Sequence, residues 1–227
     1  MKVSAIIPIK AYSERLKNKN FLEFCGQPLY RVILDKLQDI DLIQEIVINT
    51  DSEIIANDCS ERYSKSVIIE RPDNIRGNSV TANTLIEYTL TKIQGEHFLQ
   101  THCTNPLLTK KTIIKAIQTY FGNSKEFDSL FSVQTIHKRA YHKDGSPINH
   151  CNTRLEQTQD LSEILIENSN LFLFSRTSFA NCNNSRIGKR PQILPMNSME
   201  GIDIDYPEDF ILAELIHKNK LHFTDLE

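Results

Sequence analysis

Tryptophan is absent from the 227 residues, glycine occurs only seven times and cysteine five times. Each scarcity excludes something. The glycines amount to under half the usual share of about 7%. They build neither G-x-G-x-x-G nor a Walker A pattern, so neither standard nucleotide fingerprint is present. Without tryptophan the core falls to isoleucine, leucine and eleven phenylalanines. Cys25, Cys59, Cys103, Cys151 and Cys182 are odd in number, widely separated and without a C-x-x-C pair. They read as reduced thiols rather than a disulfide frame or a zinc site. The seven histidines lack H-x-x-x-H and H-E-x-x-H spacing, so no structural metal is expected. No apolar run approaches the roughly 20 residues of a membrane span, and MKVSAIIPIK is too short and too soon polar for a signal peptide. A cytoplasmic location without membrane contact is the expectation. A net charge of −3, with both signs spread along the chain, gives no field to collect nucleic acid.

What is present is an alternation of strand and helix patterns, with 40% hydrophobic residues for a core. The length suits one α/β domain over 1–227. Val3, Ala5, Ile7 and Ile9 alternate with residues that are also mostly apolar, which predicts a strand buried on both faces of a parallel sheet. Leu29, Val32, Ile33 and Leu37 recur at helical spacing, with Pro28 placed for the first turn. Strands at 45–50 and 66–70 flank a short helix whose inner face includes Ile55 and Cys59. This β-α-β-α-β order is the half-unit of a doubly wound, mostly parallel sheet. Further helices are predicted over about 83–94 and after Thr109, and strands at 97–101, 128–135 and 171–174.

Residues 10–20 follow the first strand, where open α/β sheets bind ligands. Lys10, Arg15, Lys17 and Lys19 stand against the single acid Glu14, and Ser13 adds a neutral donor. Such a loop favours a polyphosphate, although on composition alone a solvated patch is the commoner outcome. Asp51 closes the second strand at the same edge, where a helix cap explains it equally well. Residues 71–84 make a loop in which Arg71 and Arg76 are available to anions or a base edge, a plain structural loop being the default. Thr104, Asn105 and Pro106 form a hydrogen-bonding turn, which capping alone would explain. Residues 137–168 have weak periodicity and carry the hairpin signal K-D-G-S at 143–146. Insertions of this length are usually functional or an interface. In G-I-D-I-D-Y-P-E-D-F at 201–210, strand alternation sends Ile202 and Ile204 to one face and Asp203 and Asp205 to the other. Paired carboxylates suit Mg²⁺ with water and phosphate, though D-x-D alone is a weak signal. Glu208 and Asp209 after Pro207 are explained by the helix dipole.

Taken in order, these segments resemble the cytidylyltransferases that activate acidic keto sugars, namely the acylneuraminate (CMP-nonulosonic acid) synthetases and their CMP-octulosonate relatives. The likeness runs from residue 3 to about 215. It rests on K-A-Y-S-E-R-L-x-x-K-N at 10–20, G-Q-P-L at 26–29, R-P at 71–72, T-N-P-L at 104–107, T-Q-D-L at 158–161, E-N-S-N at 167–170 and D-I-D at 203–205. It implies a Rossmann-like fold of the nucleotide-diphospho-sugar transferase type. The basic loop would wrap the triphosphate of CTP through Lys10, Ser13, Arg15, Lys19 and Asn20, with Asp51 nearby and with Arg71 and the backbone around Val80 at the base. Gln100, His102, Thr104, Asn105, Gln159, Asn168 and Asn170 would face the sugar, and 137–168 would be an arm reaching across a homodimer. Asp203 and Asp205 would hold Mg²⁺ on the α-phosphate, completing a catalytic set with Lys10, Arg15 and Lys19. Departures from the family pattern are Lys10 for a frequent Arg, Arg15 for a frequent Gly, Asn78 for Asp, Leu108 for Arg, and Gln100 upstream of the usual Gln.

The reaction implied is CTP plus a 3-deoxy-2-keto sugar acid giving a CMP-sugar and pyrophosphate, for cell-surface glycan synthesis. T-Q-D-L and E-N-S-N favour the acylneuraminate-like branch. A CMP-octulosonate synthetase or another sugar nucleotidyltransferase is the alternative, and a catalytically decayed nucleotide-binding protein is the non-enzyme one.

Overall fold

The near-continuous apolar run at the start of the chain becomes β1 (Val3–Ile9), with Val3, Ala5, Ile6, Ile7 and Ile9 all fully buried. The computed structural model describes residues 1–77, 79–154 and 156–219, so Asn78 lies outside the described residues. A tight hairpin, β2 (Glu23–Phe24) and β3 (Gln27–Pro28), follows the basic loop. It turns through Cys25 and Gly26, both at positive φ (50° and 89°). The order continues α1 (Leu29–Gln38), β4 (Ile43–Thr50), α2 (Glu53–Arg62), β5 (Ser66–Glu70), α3 (Ala82–Leu90), β6 (His97–Gln100), α4 (Lys110–Gly122) and β7 (Ser129–Ile136). β8 (Ile164–Ser175), α5 (Arg176–Asn181), β9 (Pro191–Met196) and α6 (Pro207–Lys218) complete it.

Seven strands form one sheet in the order β5-β4-β1-β6-β8-β7-β9. β1 pairs in parallel with β4 and β6, and β4 with β5; β8 alone runs antiparallel, against both β6 and β7. β9 lies parallel to β7. The doubly wound, mostly parallel architecture is therefore as expected. α1, α2 and α4 cover one face through Ile33, Leu37, Ile55, Ile113 and Ile117. α3 and α5 cover the other through Ile86, Leu90 and Phe179. Because the strand order reverses beside β1, the exits of β1 and β6 lie next to each other at a switch point, where α/β sheets leave a crevice. A third cluster, with Phe24, Leu29, Leu107, Ile204 and Ala213, seats α6 and brings the segment before it to the same edge.

Several details differ from expectation for local reasons. Pro28 is not in the first helical turn. It stands at the N-cap in extended conformation because it closes the hairpin, and the helix starts at Leu29. Residues 202–205 join no ladder, although Ile204 N–H bonds Thr104 O at 2.9 Å, and only Ile204 is fully buried. β9 carries two prolines and tolerates them because it is an edge strand. Residues 164–168 belong to β8, paired with β7 across a register shift at which Ser169 takes φ 56°, so the insertion ends at Glu163. Within it the 143–146 turn forms as expected: Gly145 has φ 85°, and Asp144 Oδ1 accepts from Ser146 N and Oγ at 3.0 and 2.6 Å. Among the described residues no helix is long and apolar enough to cross a membrane.

Candidate active site

The loop after β1 is held in place by its own polar side chains. Asn18 takes a left-handed conformation (φ 53°) that turns the chain into a short 3-10 turn, Lys19–Phe21. Asn20 then spans the crevice: its Nδ2 donates to Lys10 O at 2.7 Å and its Oδ1 accepts from Cys103 Sγ at 3.1 Å. Asp51 Oδ1 accepts from Ala11 N at 2.7 Å. Asp51 thus fixes the loop and does not line the cavity at the switch point; it borders a separate hollow with Ser52, Glu53 and Glu70. Nor does it cap α2, because Ser52 Oγ accepts from Ile55 N.

The cavity at the switch point holds about 290 Å³. It brings together Lys10, Ser13, Lys19, Asn20, Arg71, Val80, His102, Thr104, Asp203 and Asp205 from across the chain. A smaller hollow of about 170 Å³ shares Lys10, Ser13, Lys19 and Asp205 with it and adds Arg15. Lys19 is only 9% exposed. Its Nζ donates to Ile204 O and to Asp205 Oδ1, the latter at 3.1 Å, while Arg15 pairs with the other oxygen of Asp205. Basic loop and acidic segment, some 190 residues apart, are therefore one site.

Asp203 differs from its neighbour. Burial holds its carboxyl above the ordinary carboxylate range, against the opposing pull of a Thr104 hydrogen bond and of Lys19. Its Oδ1 is buried without a partner among the described residues. A buried carboxylate oxygen without a partner, on a residue that lines the cavity beside a second carboxylate, is a donor set that fits Mg²⁺, with phosphate and water supplying the rest. Ser13 Oγ is likewise buried and unpartnered.

Arg71, 3% exposed, is oriented from behind: Nε donates to Asn49 Oδ1 at 2.8 Å and Nη2 to Asn49 O at 2.9 Å. Asn49 in turn donates to Thr89 Oγ1 at 3.0 Å, which ties the guanidinium to α3.

Most of the expected sugar-facing residues turn elsewhere. His102 and Thr104 line the cavity. Asn105 and Asn170 are fully buried and donate to Ile202 O (3.4 Å) and Glu200 O (3.0 Å), so they clamp the acidic segment from below. Asn168 bonds Ser132 Oγ at 2.6 Å inside the sheet. Gln159 is exposed and bonds Gln157. Gln100 is fully buried, bonded to Thr101 O, His102 and Arg186. Amide side chains in buried strands satisfy backbone carbonyls first, because an unmet one is costly. Sequence reasoning missed Arg186 and Cys103. The run N-S-R-I-G-K-R at 184–190 carried the basic signal for Arg186, but it lay outside every motif.

A protein-family model described as cytidylyltransferase matches residues 4–222. The chain belongs to the cytidylyltransferase family. Within it, the chain is 24% identical to the pseudaminic acid cytidylyltransferase of Campylobacter jejuni (serotype O:23/36), over 96% of this chain and 97% of that one. It is 28% identical to the CMP-N,N'-diacetyllegionaminic acid synthase of Legionella pneumophila, over 94% and 95%. An N-acylneuraminate cytidylyltransferase of Streptococcus agalactiae is 23% identical over 93% of this chain and 52% of its own length. Among solved structures, a CMP:2-keto-3-deoxy-manno-octonic acid synthetase complexed with CTP superposes with a TM-score of 0.72 at 12% identity, covering 97% of this chain and all of that one. The expected family and enzyme class, nucleotidyltransferase, stand. As a cytidylyltransferase fold, the chain puts its crevice at the switch point of the sheet, where its basic loop and its carboxylate pair meet.

Proposed function

We propose that this cytidylyltransferase transfers CMP from CTP to an acidic 3-deoxy-2-keto sugar of the nonulosonic class, releasing pyrophosphate. The observation that carries the reading is the convergence of Lys10, Ser13, Lys19, Asp203 and Asp205 on one cavity, with Arg71 at its wall. The names of relatives matched over nearly their full length, a pseudaminic acid cytidylyltransferase and a CMP-N,N'-diacetyllegionaminic acid synthase, support the substrate class. In this reading Arg71 meets the cytosine, with its direction set by Asn49. Lys10, Arg15 and Lys19 neutralise the β- and γ-phosphates, and Ser13 donates to a phosphate oxygen.

Asp203 and Asp205 would hold Mg²⁺, which when bound supplies charge to the α-phosphate and shields the two carboxylates from each other. Arg15 and Lys19 both pair with Asp205. In this reading Arg15 would meet a phosphate of CTP from beside that carboxylate. The sugar's anomeric oxygen attacks the α-phosphorus and pyrophosphate leaves, so the chain's contribution is positioning and charge neutralisation. His102 and Thr104 line the acceptor side. Retention of Lys19 and both aspartates in one cavity argues against a decayed binding module.

We also propose that the insertion at 137–163 serves a homodimer. Tyr141, Ile148, Leu165 and Ile166 expose apolar side chains on it and on the β8 end beside it. Sedimentation giving only the 26.2 kDa monomer at micromolar concentration would contradict this. The activity is tested by CTP-dependent pyrophosphate release with a panel of acidic sugars, and Asp205→Asn is expected to lower it.

A further inference from the structure

Arg186 lies outside every motif that identifies the family. Its guanidinium carbon stands 3.6 Å from the centroid of the Phe172 ring, a stacked arrangement, and its Nη1 donates to Oε1 of the buried Gln100. The group is half-buried, and no carboxylate among the described residues forms an ion pair with it; Glu167 acts on it only from a longer distance.

The loop that carries it is built rather than loose. Gly188 N–H bonds Ser129 Oγ at 2.8 Å, and the N–H groups of Lys189 and Arg190 both bond the Asp128 carboxylate at 3.0 Å. Glycine is required at 188, because a Cβ there would lie 2.1 Å from Asp128 Oδ1. Two links connect Arg186 to the cavity. Its backbone N–H reaches Asn83 Oδ1 at 3.4 Å, between the lining residues Ala82 and Leu85. Gln100, its side-chain partner, lies 3.1 Å from Nε2 of the lining residue His102.

Removing a cation from water without an anionic partner is unfavourable, and a guanidinium tethered at one nitrogen keeps the rest of its planar fork for a second ligand. Carboxylate is the anion that matches that fork in both charge and shape. In the proposed function the phosphates of the nucleotide would be met by the cations of residues 10–19. We propose that Arg186 binds the carboxylate of the acidic acceptor and so selects sugar acids over neutral sugars, with Phe172 and Gln100 as positioning residues. The proposal deepens the function argued above and rests on it.

The test is a cycle of two proteins and two ligands. Wild type and Arg186→Met, which keeps an apolar stem over Phe172, are titrated calorimetrically with N-acetylneuraminic, legionaminic, pseudaminic and octulosonic acids and with the methyl ester of each. CTP binding is measured alongside. Wild type is expected to prefer one acid over its ester by roughly 10- to 100-fold, the range of hydrogen bonds to charged groups. The variant should bind acid and ester equally, with CTP affinity unchanged, and Arg186→Lys should recover part of the preference. A wild type without preference, including one that binds neither form, overturns the proposal. So does a variant that keeps the full preference, or one that loses CTP affinity instead, which would assign Arg186 to a phosphate. Failure of the function reading looks different: wild type then releases no pyrophosphate with any acid, whatever these titrations give.

Discussion

Lys19 holds the two halves of the site together, since one buried ammonium meets both Ile204 O and Asp205. Substitution by Met would remove the proposed phosphate partner and leave the acidic segment without this tether. We expect kcat to fall on the order of 10²- to 10³-fold, by analogy with loss of one preorganised donor, with Asp205→Asn falling comparably. Single-turnover kinetics at saturating CTP and Mg²⁺ would check both, and turnover near wild type in either would contradict their roles. His102 gives a pH prediction. Burial, with Arg186 and Lys19 adding to it, lowers its pKa from the ordinary 6.5 to about 4. Between those values the unfolded chain binds the proton and the folded one does not, so stability is lost as pH falls through that window and is fully present above it. The whole shift would amount to ~3 kcal/mol, but one edge of the ring faces the cavity and its solvent, so about 1–2 kcal/mol is expected. Denaturant titrations of nucleotide-free protein at pH 7 and 4.5 should show a smaller pH loss in His102→Gln than in wild type. Lys10, Lys19, Arg71 and Asp205 were legible in the sequence, because a charged side chain at a strand exit has few places to go but the crevice. Asn105, Asn168, Asn170 and Gln100 were not. Residue type gives hydrogen-bonding capacity without direction, and their amides meet backbone carbonyls, a serine or Arg186 instead of the cavity.

At the scale of elements, the segment 200–205 determines whether the carboxylates are usable. It belongs to no strand, and the contacts that place it include Asn170 to Glu200 O, Asn105 to Ile202 O, Ile204 N–H to Thr104 O, and Lys19 to Ile204 O. α6 locks its far end, because Asp209 Oδ2 accepts from Asp205 N and Tyr206 N at 3.0 and 2.8 Å. Asn105→Ala and Asn170→Ala should each cost about 1–3 kcal/mol of stability by leaving a buried carbonyl unmet. Both should lower kcat without raising KM for the sugar. A rise in sugar KM with kcat unchanged would return these residues to the sugar site. Strand alternation paired the two aspartates here although no strand exists: Ile204 between them is buried in the cluster under α6, and Asp203 and Asp205 both line the cavity. The edge strand β9 escaped detection for the complementary reason: Pro191 and Pro195 argue against a strand anywhere but at a sheet edge, and only the assembled sheet places it there.

At the scale of the molecule, topology makes the active site. β1 and β6 are adjacent in space with some 90 residues between them in the chain, and the loops leaving them bring Lys10, Ser13 and Lys19 to the same cavity as His102 and Thr104. The sheet half made by β1, β4 and β5 was readable because these strands are uninterrupted and separated by helices of ordinary length. The half from β7 to β9 was less so, since it contains the antiparallel strand, the insertion and the bulge at Ser169. Relatives named for pseudaminic, legionaminic and N-acylneuraminic acids share this scaffold at 23–28% identity, so the acceptor must be read from side chains rather than fold. The most direct measurement is pyrophosphate release by the purified protein with CTP and Mg²⁺, adding nonulosonic and octulosonic acids one at a time. Release that depends on a single nonulosonic acid, and vanishes when UTP or ATP replaces CTP, is the expected result. Release without any acid, or with UTP as readily as with CTP, would contradict it.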